Sequence, residues 1–439
     1  MESQDRTIPL RADEIALELP GLRIAVASGV DAGREAALTA RSLRVGTAPD
    51  NDLVLTDPSV SRHHFELRLH EEQPWVIDAG STNGTFINGV RVHRALAAHG
   101  SRIDVGSTSI HVVASAQPVQ IPISKRGAFG GLVGKSLAMR ELYALLERAA
   151  PTDASVLLHG ETGTGKELVA EAIHEASRRA DGPFVIVDCG SIPPALFESE
   201  LFGHKRGSFT GAIADRTGLL VEANGGTIFL DEIGELAPDL QPKLLRALER
   251  RQVRPVGATQ PVDVDVRVVA ASHRNLIEEV NRGAFREDLY YRLAVVRIEV
   301  PALRVRRDDI KELVRLFVSR IAPDREDEAA SIAASLEHRS FPGNVRELRN
   351  AVEEHLILGH SRPGLGAPAA RAVGGTGGLP DSVYELAYKD ASELAAAEFQ
   401  REYVHRLLAR ANGNVSAAAR EAGMSRRYLQ TLMSRLGLG

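Results

Sequence analysis

The chain has 439 residues, 44% of them hydrophobic and 25% charged, so about three soluble globular domains at roughly 150 residues each are expected and wholesale disorder is excluded. Lysine plus arginine number 53 against 58 acids, a net charge of −5; such a chain cannot coat nucleic acid along its length, and any DNA contact needs a local basic patch. The single cysteine, Cys189, excludes an intrachain disulfide and a cysteine-cluster metal site, and fits a reducing compartment. The first residues carry Glu2, Asp5, Arg6, Arg11, Asp13, Glu14 and Glu18 and offer no signal-peptide core. No stretch approaches the roughly 18 uncharged apolar residues of a membrane span. A cytoplasmic protein without membrane contact is expected.

From Leu22 to Val113 short β-branched runs alternate with turn residues: Leu22–Val26, Leu53–Leu55, Phe65–Leu69, Trp75–Ile77, Phe86-Ile87 and Ile110–Val113. That texture reads as an all-β sandwich, with Asn88-Gly89 as a hairpin turn because both residues tolerate positive φ. Gly46, Asn51-Asp52, the string Ser59 to His64 and the string Gly80 to Gly89 then resemble a forkhead-associated (FHA) domain, a fold that binds phosphothreonine peptides. The resemblance implies that Ser61, Arg62, Thr82 and Asn83 supply donors to phosphate and peptide backbone, and that His64 braces a loop. Many members carry an arginine directly after the first glycine; Thr47 stands there, and Arg44 is the nearest substitute. A sandwich that mediates protein contacts without phosphate is the alternative.

Residues 114–130, with Pro118, Pro122 and paired glycines, read as an irregular linker. Helical spacing follows at Met139–Ala149, then a strand at Ser155–His159, a Gly-rich turn and a helix at Glu167–Arg179. Strands at Phe184–Val187, Thr227–Leu230 and Val266–Ala270 alternate with helical segments, the pattern of a parallel α/β sheet, and residues 308–360 are more helical.

Gly160-Glu161-Thr162-Gly163-Thr164-Gly165-Lys166 lies between strand and helix, where glycines let backbone N–H groups turn around phosphate oxygens and Lys166 reaches the β/γ-phosphates. Glu167 stands where the general pattern has a magnesium-binding Ser or Thr. Ile228-Phe229-Leu230-Asp231-Glu232 is an apolar strand ending in two carboxylates: Asp231 suits magnesium and Glu232 suits an attacking water. A tight connection and a solvated strand end are the plain alternatives.

Residues 131–361 resemble the AAA+ domain of bacterial sigma-54-dependent transcription activators, in which Glu at the position of Glu167 is usual. The resemblance implies an α/β P-loop ATPase with a helical lid, using ATP and Mg. Phe285 to Leu293 matches the arginine-finger segment, so Arg286 and Arg292 are expected to act on a neighbouring subunit's nucleotide, in a hexameric ring when active and with a dimer allowed at rest. Surface pairing with Glu287 and Asp288 is the alternative. Phe341 to Asn350 matches the second sensor, with Arg346 facing the nucleotide; Ser272 and His273 occupy the first-sensor position. Asp188 stands where many relatives have an Asn bonded to the catalytic glutamate, and an Asp there would repel Glu232 unless protonated or bridged. Cys189 reads as a small buried residue. The loop Gly207-Ser208-Phe209-Thr210-Gly211-Ala212 resembles the segment that engages sigma-54, with Phe209 presented to the partner rather than packed inward.

Residues 362–380 are glycine-rich and read as a flexible linker; residues 381–439 read as all-helical. Asn412 to Met433 has helix–turn–helix character, Gly423 supplying the turn and Ser425 the cap. From Phe399 onward the arginines exceed the acids by five, concentrating positive charge in a chain that is otherwise negative. Ser425, Arg426, Arg427, Gln430 and Ser434 are placed for a major groove, unless the segment is a dimerisation unit with a solvated basic face. It is similar to the Fis-type domain that ends most sigma-54 activators.

The expected divisions are therefore an extension at 1–21, an FHA sandwich at 22–113, a linker at 114–130, the ATPase at 131–361, a linker at 362–380 and the helix–turn–helix at 381–439. The expected function is ATP-driven remodelling of the closed sigma-54 RNA polymerase complex into an open one. It would act from enhancer-like upstream DNA, in response to a phosphothreonine protein or a Ser/Thr kinase. A regulator acting by occupancy or tethering, with little ATPase activity, is the alternative. An unfoldase or loader gives no reason for the Phe209 loop and the helix–turn–helix together.

Overall fold

The computed structural model describes residues 14–70, 73–209 and 211–359, with Val404, Leu407, Val415, Met424, Leu429 and Met433 beyond them. Two compact units divide the chain, Met1–Ala367 and Pro368–Gly439. In the second, Val404, Leu407 and Leu429 are helical and fully buried, as core positions of a helical domain are. The expected linker at 362–380 lies outside the described residues.

The first unit opens with a β-sandwich. One sheet runs, in spatial order, Glu35–Ala37, Glu14–Ser28, Thr108–Ser124, Arg102–Val105, Thr85–Ile87 and Val90–Val92; the other runs Leu53–Val54, Ser42–Gly46, Phe65–His70, Gln73–Asp78 and Arg94–Leu96. Alternation sets the inner face: along Phe65–His70, Phe65, Leu67 and Leu69 are buried and their neighbours are not. The Asn88-Gly89 turn takes positive φ at both residues, 50° and 84°, and pairs Ile87 with Val90.

The stretch expected as an irregular linker is largely strand. Thr108–Ser124 continues past the sandwich, and its far half pairs antiparallel with Glu14–Leu19, Glu14 opposite Ser124. The prolines are tolerated because a two-stranded ribbon has free edges where an N–H is not needed. Val119 and Ile121 bury their side chains in the sandwich core, and Ser124 Oγ donates to Glu147 on the first ATPase helix. The ribbon thus joins the two domains as an ordered connector.

The ATPase core is a five-stranded, all-parallel sheet ordered Phe184–Asp188, Thr227–Asp231, Arg267–Ser272, Val156–His159, Val296–Glu299. The strands are runs of Val, Ile, Leu and Phe because helices cover both faces. Helix Leu137–Ala149 begins where Ser136 Oγ accepts from Met139 N, and the buried Asp309 carboxylate in turn accepts from the backbone N–H of Lys135 and Ser136. The helix after the Gly-rich turn is Lys166–Glu175, shorter than expected. Three lid helices, Ile310–Ile321, Ala329–Leu336 and Asn344–Leu358, share a core including Leu313, Phe317, Ile332, Leu348 and Val352. Among the described residues no helix is long and apolar enough to cross a membrane.

Candidate active site

The sheet delivers its polar residues to one end. Strand Val156–His159 runs into Gly160–Gly165, and the turn closes at Gly163 and Gly165 with φ of 78° and 102°. Gly163 is required twice over, since a Cβ there would also lie 2.3 Å from Gly343 O in the lid. Lys166, first residue of the following helix and 7% exposed, donates to Gly160 O at 3.0 Å and to Glu232 Oε1 at 3.4 Å. Glu167 is exposed on the same helix.

Asp231 ends strand Thr227–Asp231, which strand Arg267–Ser272 separates from Val156–His159, and Glu232 follows it. Burial raises the Asp231 pKa above the ordinary carboxylate value, and Glu232 and Asp188 add to it against the Lys166 charge. Burial works the same way on Glu232, but bonds from His273 and the charge of Lys166 outweigh it, and its pKa falls below the ordinary value. Glu232 Oε2 accepts from His273 N at 3.1 Å and from His273 Nδ1 at 2.6 Å, so the proton is on Nδ1. Of the two first-sensor residues, His273 therefore touches the glutamate. Ser272 Oγ instead donates to Arg274 O and accepts from Arg274 N, closing its own turn.

Asp188 does not bridge to Glu232. Its Oδ1 accepts from Gly190 N at 2.9 Å and Ser191 N at 3.2 Å. This turn holds Asp188 at the strand end, where its charge helps to raise the Asp231 pKa. Cys189 is 6% exposed, and burial pushes its thiol pKa up, which suits an inert packing residue.

The lid grips the loop through residues that the motifs did not single out. Asn344, 1% exposed, donates from Nδ2 to Thr162 O and to Glu161 Oε2, both at 3.1 Å, and accepts from Leu303 N. Arg306, 3% exposed, donates to Thr164 O at 2.8 Å, and Arg304 pairs with Glu161 at 2.6 Å. Gly163 O accepts from Val345 N at 3.0 Å and Arg346 N at 3.3 Å, which places the backbone of Arg346, the residue expected as second sensor, at the loop. Asn344 lies inside the Phe341–Asn350 string; Arg304 and Arg306 carry no sequence signal beyond their charge.

Arg286 stands at the residue before helix Glu287–Leu293 and pairs with Asp288 at 2.6 Å; Arg292 donates to Leu248 O at 2.8 Å and is exposed. Glu287 pairs with neither finger arginine. On the loop expected to engage sigma-54, Phe209 is 39% exposed and stands edge-on to His204 at 5.0 Å, and Gly207 N donates to Ala212 O. Thr210 lies outside the described residues, as do Ser425, Arg426, Arg427, Gln430 and Ser434.

In the sandwich, His64 is fully buried; its Nδ1 accepts from Ser61 N and its Nε2 bonds Gly84 O, bracing two loops. Ser61 Oγ accepts from Thr82 N, and Asn83 Nδ2 donates to Ser59 O. Thr47 N donates to Ser61 O. Arg44, the nearest substitute for an arginine at Thr47, pairs with Asp50 at 2.8 Å and Asp52 at 3.6 Å. Arg62 is exposed at its side chain.

With this geometry in place, comparison with known proteins is informative. The Sigma-54 interaction domain matches residues 132–299, the AAA+ ATPase lid domain 304–363, the FHA domain 43–106 and the Fis family of bacterial regulatory proteins 395–436. The transcriptional regulatory protein ZraR of Klebsiella oxytoca is 45% identical over 309 residues, 70% of this chain and 69% of that protein. The chain belongs to the sigma-54-dependent transcriptional regulators. ZraR of Escherichia coli K12 is 44% identical over 309 residues, covering 70% and 68%. The crystal structure of NtrX from Brucella abortus is similar at a TM-score of 0.51 and 38% identity, covering 70% and 69%. This regulator carries an FHA domain ahead of its sigma-54 interaction domain and a Fis-type helix–turn–helix behind it.

Proposed function

We propose that this regulator hydrolyses ATP to open sigma-54 promoters, acting from upstream DNA and responding to phosphothreonine through its FHA domain. The observation that carries the proposal is the array at the sheet end, where Lys166, Asp231, Glu232 and His273 converge on the Gly-rich loop. The residues fit a magnesium nucleotide. Among the described residues no cluster of three or more metal-ligand side chains occurs, so the half-buried Asp231 with phosphate oxygens would hold magnesium, as is usual for that ion. Magnesium when bound neutralises charge developing on the phosphates.

The chain's own groups do the rest. Loop N–H groups and Lys166 bind the phosphates. Glu232, ionised and aimed by His273, orients the attacking water and accepts its proton. Arg346 and the lid sense the occupied loop through the shared bonds at Gly163. Arg286 and Arg292, whose side chains are exposed, complete a neighbouring protomer's site, which requires a ring.

Glu232→Gln tests this reading. Turnover should fall by at least about 100-fold and promoter opening should vanish while DNA binding is retained. Full activation by a variant with no turnover would leave the occupancy mechanism standing.

A further inference from the structure

The loops that carry the expected phosphopeptide residues are occupied from within the chain. Arg62, expected to hold the phosphate, pairs through Nε with Glu287 Oε1 at 2.7 Å. The hydroxyl of Tyr291 donates to Asp50 at 2.9 Å, in the loop after Thr47. Asn281 Nδ2 donates to His63 O and Ala79 O, both at 2.8 Å, joining the loops before Phe65 and before Thr82. His63 lies edge-on to Tyr290 at 6.1 Å. Beside these, Arg297 stands 3.7 Å from Asp50, and Arg68 pairs with Glu299 at 2.6 Å.

We infer that the FHA recognition face docks on the arginine-finger helix of its own chain with Glu287 in the position of a phosphate, so that docking and phosphothreonine binding exclude each other. The inference rests on the phosphothreonine reading above. One carboxylate holds Arg62 through a single ion pair, whereas a phosphothreonine brings nearly two charges and three acceptor oxygens. The contact is made mostly of hydrogen bonds and ion pairs around two tyrosines, which suits an interface that opens. Helix Glu287–Leu293 is flanked by Arg286 and contains Arg292, so the docked domain covers the element that must face the next protomer. A bound phosphopeptide frees it, and the ligand class at this surface is a phosphothreonine segment with a neighbouring amide donor for the His63 and Ala79 carbonyls that Asn281 would release.

A disulfide lock tests the exclusion in the full-length protein. A Cβ at Gly80 would lie 3.6 Å from Glu278 Cβ, within the disulfide range of about 3.5–4.5 Å. Cys189 is buried and does not compete. Gly80→Cys/Glu278→Cys is oxidised with glutathione disulfide and titrated with a degenerate phosphothreonine peptide library, alongside its unphosphorylated counterpart. The oxidised form should bind the phosphorylated library at least about 10-fold more weakly than the same protein reduced. Because Gly80 has a φ of 73°, which strains a side chain, Glu287→Gln and Asn281→Ala serve as independent variants that release the contact. Each should bind the library about 3- to 10-fold more tightly than the unaltered protein and hydrolyse ATP faster without peptide. Equal affinity locked and reduced, or no cross-link in the resting protein, overturns the docking. A cross-link that forms efficiently in a protein no form of which binds the library overturns the phosphothreonine reading and the exclusion with it.

Discussion

At the residue scale the site turns on how Glu232 is held. Its backbone lies in the left-handed region, φ 48° and ψ 47°, a strained placement for a glutamate that functional sites retain when neighbours over-determine it. Lys166 and His273 are those neighbours. His273→Ala should lower kcat about 10- to 100-fold with KM for ATP little changed, whereas Asp188→Asn should leave both within about threefold. Steady-state ATPase assays decide it, and the opposite ranking would return the aiming role to Asp188. In the sandwich, the buried Asp57 accepts from Ser59 and Ser107 backbone N–H and from the Ser59 and Thr108 hydroxyls. Burial opposes its ionisation, the bonds outweigh it, and its folded pKa lies below the ordinary carboxylate value. A depressed pKa contributes stability that is complete above the unfolded value and lost as pH falls through the folded one. Asp57→Asn should therefore lower the melting temperature at neutral pH and flatten the further loss between about pH 5 and pH 3, read by thermal melts. The cluster of the Gly-rich loop with Lys166, Asp231 and Glu232 was legible in the sequence because the motifs put particular residue types at a fixed spacing between strand and helix. Arg306 and the pairing of His273 were not, since neither role follows from spacing.

At the scale of elements, the strongly patterned ones were the legible ones. The buried strands of the ATPase sheet and the central strands of the sandwich announce themselves by composition and alternation. Short edge strands such as Glu35–Ala37 and Arg94–Leu96 do not, because two or three residues give no period. Arg267 is a further case: it stands in a central strand, 1% exposed, and its guanidinium donates to Ala149 O and Ala150 O at the end of helix Leu137–Ala149. There it satisfies carbonyls that have no partner within the helix and meets the negative end of the helix dipole. Arg267→Leu should cost about 1–3 kcal/mol by removing the donor to Ala150 O, while Ala149 O keeps its bonds from Thr152, measurable by denaturant unfolding. The lid helix is tied to the nucleotide loop by Asn344, whose φ of 55° marks a position set by its bonds. Asn344→Ala should weaken ATP binding about 5- to 20-fold while the lid core, built from Leu313, Ile332 and Leu348, stays folded.

At the scale of the molecule, the pieces act on one another through surfaces that each exposes. If Arg286 serves the neighbouring protomer, Lys166→Ala and Arg286→Ala proteins should each be inactive alone and recover ATPase activity when mixed, because some interfaces then pair an intact loop with an intact finger. No recovery on mixing would place Arg286 in its own chain's service, in the Asp288 pair that it makes here. Phe209, half-exposed on a glycine-bounded turn, should be separable from the engine: Phe209→Ala should retain ATP hydrolysis and lose promoter opening.

Periodicity, turn chemistry and motif spacing are local properties, and so the sequence by itself determined the family, the sandwich, the parallel sheet and the phosphate loop. Which groups meet across long separations is decided by packing. Only the tertiary structure shows that residues 114–124 are an ordered ribbon rather than a tether, that His273 and not Asp188 grips Glu232, and that Arg62 finds its acid at Glu287. An ion pair of that kind depends on the relative placement of two domains, a quantity that no window of residues contains.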